Sequence, residues 1–339
     1  MFGVSHSHSV RRPRRALDEN GLASDGRSIM SIVGLLHSGT KTGFSKPVEA
    51  LKKKLGSEAT LKEDTYANDN KQLLKDYAKL LVQDASVDVI IAAGGPQPAL
   101  AAKEMTDTLQ SEKPRRERKP IVFTTVANPV DSGLVDAMDR PGGNVTGMWG
   151  KTSELDVTRM ELLNVLVPND ATKPERRIGV LTRKDRPRGN PQFAELEAKA
   201  KILGIKLKRE DVEKVDEIKK AFEQKFKGDV VAVIVTADSF FYSQLPKVVE
   251  YANAASLPTI YQWCDFVEAG GLISYGPSII EAYENAGLYA LRILSGDNPA
   301  DIPVAEPSRL DPCLNLATAR MLKIEVPQKL QGQTVRTIE

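Results

Sequence analysis

Histidine and cysteine are scarce in this chain, with three of the first and two of the second among 339 residues. No CxxC and no His-x-x-x-His occurs, and His6 and His8 lie near the N-terminus, far from other candidate ligands. A structural zinc site, or any other metal, is therefore not expected. Cys264 and Cys313 leave a bridge open, but spacing alone does not pair them, and two buried free thiols are the expectation. No apolar run approaches the roughly 18 residues of a membrane span. Arg11 to Arg15 resemble the charged start of an export signal, yet the following ALDENGLASDGRS lacks the apolar stretch of roughly 7–15 residues that secretion needs. Residues 1–28 are expected to form a disordered basic tail. The chain as written is expected to stay in the cytoplasm unless a start further upstream adds a leader. Net charge is only +2. The tail, with five arginines against three acids, accounts for it. The body thus lacks the basic excess that a nucleic-acid partner requires.

Catalytic signatures are missing as well. GxxxxGK[ST] and GxSxG are absent, and no GxGxxG follows the first apolar run. His37 is the sole histidine of the body, so a Ser-His-Asp arrangement would have to use it. No catalytic residue and no cofactor is expected.

What the chain does contain is a repeating pattern. Hydrophobic residues make up 41% and charged residues 27%, which is ordinary for a folded soluble protein and argues against disorder. The length suits two domains of similar size. Apolar runs at 31–37, 87–95, 120–126 and 144–149 read as strands, with a weaker alternating one at 61–68. Helical spacing occurs over 45–55 and 69–84. After Trp149 the alternation restarts: helix 153–166, strand 176–182, helix 192–203, strand 204–211, helix 215–226, strand 230–238, helix 243–255, strand 258–263. An extended segment at 271–276 and a helix over 278–294 follow. Strands alternating with helices imply parallel βαβ units, and the restart implies two sheets.

In open parallel sheets a ligand sits beyond the carboxyl ends of the strands. Those ends nominate Ser38, Gly95, Gln97, Thr125 and Asn128 in the first half. In the second half they nominate Arg183, Thr236, Asp238, Trp263, Asp265 and Tyr275. Gly94-Gly95-Pro96 lets backbone approach a ligand and then opens a helix whose start favours an anion, or it is a tight strand–helix turn. Asp238 either caps the next helix or contacts ligand. Asp265 shares its position after a strand. Trp263 either packs in the core or stacks on an aromatic or cationic group. Arg183, Lys184, Arg186 and Arg188 form a basic loop. It is either solvated or supplies a contact, through Arg183, to an acidic group on the ligand.

Three segments carry a family resemblance: PIVFTTVANPVDSGLVDAMDRPGGNVTGMWG (120–150), FVEAGGLISYGPSIIEAYENAG (266–287) and RILSGDNPADIPVAEP (292–307). They resemble the substrate-binding proteins of ABC transporters, of the tryptophan- and tyrosine-binding type. The resemblance runs from about Ser31 to the C-terminus. It departs from the family pattern at Asn128, where an aspartate is usual, and at Cys264 and Asp265, where arginine and glutamate are usual.

The resemblance implies a type I periplasmic binding fold: two Rossmann-like lobes with parallel sheets, joined by a three-segment hinge. The crossings fall near 149–152, 275–278 and 303–310. Lobe 1 is then 29–149 plus 277–303, and lobe 2 is 152–275 plus 308–339. It also implies a periplasmic monomer that closes over a small polar or aromatic, amino-acid-like solute and hands it to a permease. For an amino acid, the Gly95–Gln97 helix start would take the carboxylate and Asp238 or Asp265 the ammonium. A cytosolic sensor on the same fold is the alternative reading, and an enzyme on a doubly wound fold comes after it. A self-contained transcription regulator would need a DNA-binding domain ahead of the first lobe, and 28 residues do not supply one.

Overall fold

The structure, a computed structural model, describes residues 30–151, 155–167, 176–184, 191–310, 312–330 and 336–339. The expected tail and Arg186 and Arg188 of the basic loop lie outside these residues. In chain order the first elements are β1 (Ser31–His37), α1 (Ser45–Leu55), β2 (Ala59–Lys62), α2 (Lys71–Gln83), β3 (Val87–Ala93), α3 (Pro96–Leu109), β4 (Ile121–Val126) and β5 (Val145–Trp149). Next come α4 (Asp156–Leu166), β6 (Arg176–Arg183), α5 (Pro191–Ile202), β7 (Ile205–Val212), α6 (Val215–Lys220), β8 (Ala232–Val235), α7 (Ser239–Ser243) and α8 (Leu245–Ala254). The last are β9 (Thr259–Tyr261), α9 (Cys264–Glu268), β10 (Ile273–Ser274), α10 (Ile279–Leu294), β11 (Cys313–Asn315), α11 (Leu316–Met321) and β12 (Arg336–Ile338).

Two sheets result. The first has the order β2-β1-β3-β4-β5 and is parallel throughout. The second has the order β12-β11-β10-β9-β8-β6-β7. Its portion β7-β6-β8-β9-β10 repeats the first order, so each sheet reverses direction beside its first strand. The parallel expectation fails at one junction, where β11 runs antiparallel to β10. The chain leaves the first sheet after β5 and returns to pack α10 on α1 and β4. Ala305 then bridges Met148 beside β5 before β11 joins the second sheet.

Local chemistry explains the ends of the elements. Asn70 caps α2 by accepting the Gln72 and Leu73 N–H groups, both at 3.0 Å. Ser278 caps α10, taking the Glu281 N–H at 3.2 Å. On α10, Ile279, Ala282, Tyr283, Ala286, Ala290 and Ile293 are buried, the spacing of one helical face. The helix expected over 243–255 is α8, whose first turn holds Pro246, and the short α7 precedes it. The strand expected over 61–68 stops at Lys62. Glu63 turns from the sheet edge to ion pairs with Lys41 and Lys52, and Tyr66 returns only as a single bridge to His37.

The free-thiol expectation is overturned: Cys264 and Cys313 form a disulfide, with Cα atoms 5.4 Å apart. The antiparallel β10–β11 pairing brings Cys313 opposite Ser274. That places it beside the start of α9, a neighbourhood that spacing in the sequence does not reveal.

Candidate functional site

In the first sheet the order reverses between β1 and β3, and the loops beyond their carboxyl ends meet. His37, the last residue of β1, is fully buried. Its Nδ1 accepts the Gly39 N–H at 2.9 Å, which leaves the proton on Nε2, 2.7 Å from Tyr283 Oη. Burial pulls the imidazole down to about 3, so it is neutral at physiological pH. Burial likewise pushes the Tyr283 hydroxyl well above its usual range. With both ring nitrogens committed, His37 is a brace for the loop that follows it.

Ser38 Oγ donates to the Gly94 carbonyl at 2.6 Å. Gly94 and Gly95 have φ of +91° and +99°, conformations that favour glycine. A Cβ on Gly94 would collide with Ser38 Oγ, whereas one on Gly95 would meet nothing within 4 Å. Gly94 is therefore closed in by the fold, and Gly95 faces open space. Pro96 begins α3, and Pro98 follows two residues later. Neither carries an N–H, so the first turn offers fewer donors than an ordinary helix start.

In the second sheet the reversal falls between β6 and β8. Arg183 ends β6, and its side chain is 12% exposed. Its guanidinium lies over the Phe240 ring at 4.1 Å, donates from Nη1 to the Glu213 carbonyl at 2.8 Å, and places Nε 3.9 Å from Asp238 Oδ1. Asp238 also caps α7, accepting the Phe240 N–H at 2.9 Å. Trp263 follows β9 and packs edge-on against Tyr242, with ring centres 5.3 Å apart. Its Nε1 is buried with no hydrogen-bond partner among the described residues.

These loops face one another across a cleft of about 1600 Å³, open part included. Eight nominated residues line it: Ser38, Gly95, Gln97, Thr125 and Asn128 from the first sheet, and Arg183, Asp238 and Trp263 from the second. Three do not reach it. Thr236 is drawn to β6, with its N–H and hydroxyl both on the Leu181 carbonyl at 3.0 and 3.2 Å. The Tyr275 backbone is held to the sheet, its N–H donating to the Tyr261 carbonyl at 3.0 Å and its carbonyl accepting from Arg159 Nε at 2.7 Å. Asp265 accepts the Tyr242 hydroxyl at 3.0 Å and lies 3.6 Å from Lys46. Lys184 of the basic loop is solvated, with its side chain 67% exposed. The lining residues Phe44, Asp69, Lys71 and Tyr283 were not nominated. Tyr283 lies in the first turns of a helix that begins at the cleft, and Lys71 starts the helix after a strand whose end the sequence misplaced.

The two halves touch across the cleft. Ser38 Oγ is 3.1 Å from Ser239 Oγ, and the Thr40 N–H donates to Ser243 Oγ at 3.3 Å. Phe44 packs on Tyr242 with ring centres 4.6 Å apart. Lys46 Nζ reaches Glu268 Oε2 at 2.7 Å. A Cβ on Gly43 would stand 2.7 Å from Ser243 Cα, so glycine permits this close approach. One apolar cluster runs from Val33 and Phe44 through Tyr242 to Trp263 and Phe266.

A pair of doubly wound sheets with a shared cleft at their carboxyl ends defines a two-lobed α/β ligand-binding protein. The chain belongs to the ABC transporter substrate-binding protein family, whose profile matches residues 35–338. It is 27% identical over 299 residues to the "Tyrosine-binding protein" of Clostridioides difficile (strain R20291), covering 88% of this chain and 80% of that one. Among solved structures it is similar to an ABC domain from Streptococcus pneumonia in complex with L-Trp. That match has a TM-score of 0.76 and 22% identity over 90% of this chain and 100% of the other. It is also similar to a ligand-free, open substrate-binding protein with adhesive properties from Clostridium difficile, with a TM-score of 0.62 and 22% identity over 91% and 99% of the two chains. Members of the family are typically extracytoplasmic and work with permeases. Among the described residues no helix is long and apolar enough to cross a membrane.

Proposed function

We propose that the protein binds a small amino-acid-like solute, polar or aromatic, by closing lobe 1 (29–149 plus 277–303) and lobe 2 (152–275 plus 308–339) about the three-segment hinge. The observation that carries this reading is the composition of the cleft wall. One lobe presents backbone, hydroxyl and amide groups, and the other presents an adjacent Arg183–Asp238 pair beside the Trp263 indole. Such a wall suits a molecule with both charge signs and a planar or polar remainder. The tyrosine-binding relative and the L-Trp complex support an aromatic amino acid as the first choice.

The protein acts here as a carrier that delivers its solute to a permease, not as an enzyme. His37, which precedes the cleft residue Ser38, is buried and neutral, with both nitrogens engaged. It works outside the cytoplasm, a reading supported by the Cys264–Cys313 disulfide, since such bonds persist in oxidising compartments. Native mass spectrometry of freshly purified protein, followed by calorimetry with the common L-amino acids, tests the ligand. Retention or micromolar binding of one of them is expected, and absence of binding by all of them would overturn the reading. Thiol alkylation in intact cells of the natural host tests the compartment. An alkylated, reduced pair counts against it.

A further inference from the structure

We infer that Arg183 and Asp238 together read the head group of an α-amino acid, the guanidinium taking its carboxylate and the aspartate its ammonium. The inference rests on the proposal above that the ligand is an amino acid. It adds that both head-group charges are recognised by one lobe.

The first ground is position. Arg183 ends β6 and Asp238 follows β8, the two neighbouring strands between which the second sheet reverses its order. Ligands in doubly wound sheets bind at that crevice. The second ground is spacing. Nε and Oδ1 are 3.9 Å apart. In an α-amino acid the nitrogen and the carboxyl carbon are about 2.5 Å apart, given standard bond lengths and angles. A zwitterion laid against the pair therefore sets each of its charges beside the opposite one.

Preorganisation is the third ground. The Phe240 ring behind the guanidinium and the Glu213 carbonyl on Nη1 hold it in one orientation. Arginine has five N–H donors, and a carboxylate about four acceptor sites. The Glu213 bond thus occupies only part of the guanidinium's capacity. The competing carboxylate site, the start of α3, is weaker than a bare helix end. Pro96 and Pro98 remove two of its N–H donors, and a helix end carries about half a charge against the full charge of Arg183. A bidentate guanidinium–carboxylate contact also outranks single donors. Lobe 1 is left to face the ligand's side chain with Phe44, Thr125 and Asn128.

The test removes one charge at a time from both partners. L-tyrosine, tyramine (no carboxylate) and 3-(4-hydroxyphenyl)propionate (no ammonium) are titrated into wild type, Arg183→Met and Asp238→Asn by calorimetry. Arg183→Met is expected to weaken L-tyrosine at least tenfold and to leave tyramine within twofold. Asp238→Asn is expected to weaken L-tyrosine at least tenfold and to leave the propionate within twofold. An Arg183→Met effect of equal size on tyramine and L-tyrosine would overturn the assignment, as would no effect on either. Circular dichroism of each variant separates a lost contact from a lost fold. Should a variant misfold, Arg183→Lys and Asp238→Glu run the same cycle. If L-tyrosine does not bind but another amino acid does, the aromatic reading fails. The cycle then proceeds with that amino acid, its amine and its deaminated acid. If no amino acid binds wild type, both readings fall.

Discussion

The two lobes share a strand order but contribute opposite kinds of surface to the cleft. Lobe 1 approaches with Ser38, Gly95 and Thr125, at ends of strands in a sheet that is parallel throughout. Lobe 2 approaches with Arg183, Asp238 and Trp263, on a sheet that an antiparallel strand and a disulfide extend. One side is shaped by backbone conformation and the other by charge and an indole. Backbone shape is fixed by glycine φ angles and a buried imidazole. Charge placement depends on what holds α7 and α9 against their sheet. The lobes should therefore fail in different ways when perturbed.

The largest expected effect is on lobe 2. Cys264 and Cys313 are separated by 49 residues in sequence, and closing such a loop is worth about 4 kcal/mol in a chain-entropy account. Replacing both with serine should lower the stability of lobe 2 by roughly that amount and leave lobe 1 unchanged. Differential scanning calorimetry would then show two transitions, the lower one moving. A single transition at the wild-type temperature would contradict the asymmetry.

The next effect belongs to lobe 1 and depends on pH. His37 has its pKa lowered from the usual 6.5 to about 3 by burial. Between those values the unfolded chain binds a proton that the native state does not. The stabilisation is complete above pH 6.5 and is lost progressively as the pH falls toward 3, at about 1.4 kcal/mol per pH unit. Urea midpoints should fall by the equivalent of about 2 kcal/mol between pH 6.5 and 5. His37→Gln should be less stable at neutral pH and much flatter over that window. Equal slopes in wild type and variant would show that some other group carries the acid sensitivity.

How legible each lobe is in the sequence follows the same division. Continuous apolar runs such as Val87–Ala93 and the turn Gly94-Gly95-Pro96 are local signals, and eight of eleven nominated residues line the cleft. What the sequence hides is non-local. Asp265 follows a strand as Asp238 does, yet Lys46 and Tyr242 draw it away from the cleft. Thr236 sits on a strand end but faces β6. β11 and β12 have three residues each, too few for a period of two to show, and without them the disulfide has no visible partner geometry. Phe44 and Tyr283 belong to helix starts, whose facing depends on how the helices pack.

A third perturbation separates shape from strain in lobe 1. Gly95 has φ of +99° and open space where a Cβ would be. Gly95→Ala introduces backbone strain of about 1–3 kcal/mol with little added volume. Gly95→Val adds a branched side chain projecting into the cleft. Both should lower the melting temperature similarly. Only the valine variant should weaken binding of the identified solute at least tenfold, about 1.4 kcal/mol. Calorimetric titration of both decides it, and equal affinities would mean that the ligand does not approach this backbone.

The smallest effect is expected where the lobes meet. Lys46 of lobe 1 lies 2.7 Å from Glu268 and 3.6 Å from Asp265 of lobe 2, with its own side chain 60% exposed. The bond to Glu268 leads the causes that raise the Lys46 pKa, so the ammonium stays charged throughout the neutral range. An exposed ion pair is worth about 0.2–1 kcal/mol. It stabilises only a state in which the lobes touch, because opening about the hinge separates its partners. Removing it should therefore lower the closed population and leave the open form intact. Lys46→Ala is expected to raise the Kd of the identified solute about twofold to fivefold at low ionic strength. The difference should shrink toward wild type at 1 M salt, where the screening length is about 3 Å. The melting temperature of each lobe should not move. Titrations at two salt concentrations, with a melt of each protein, check all three statements. A Kd change that persists at high salt would show that the Lys46 stem acts by packing on lobe 2 and not by its charge.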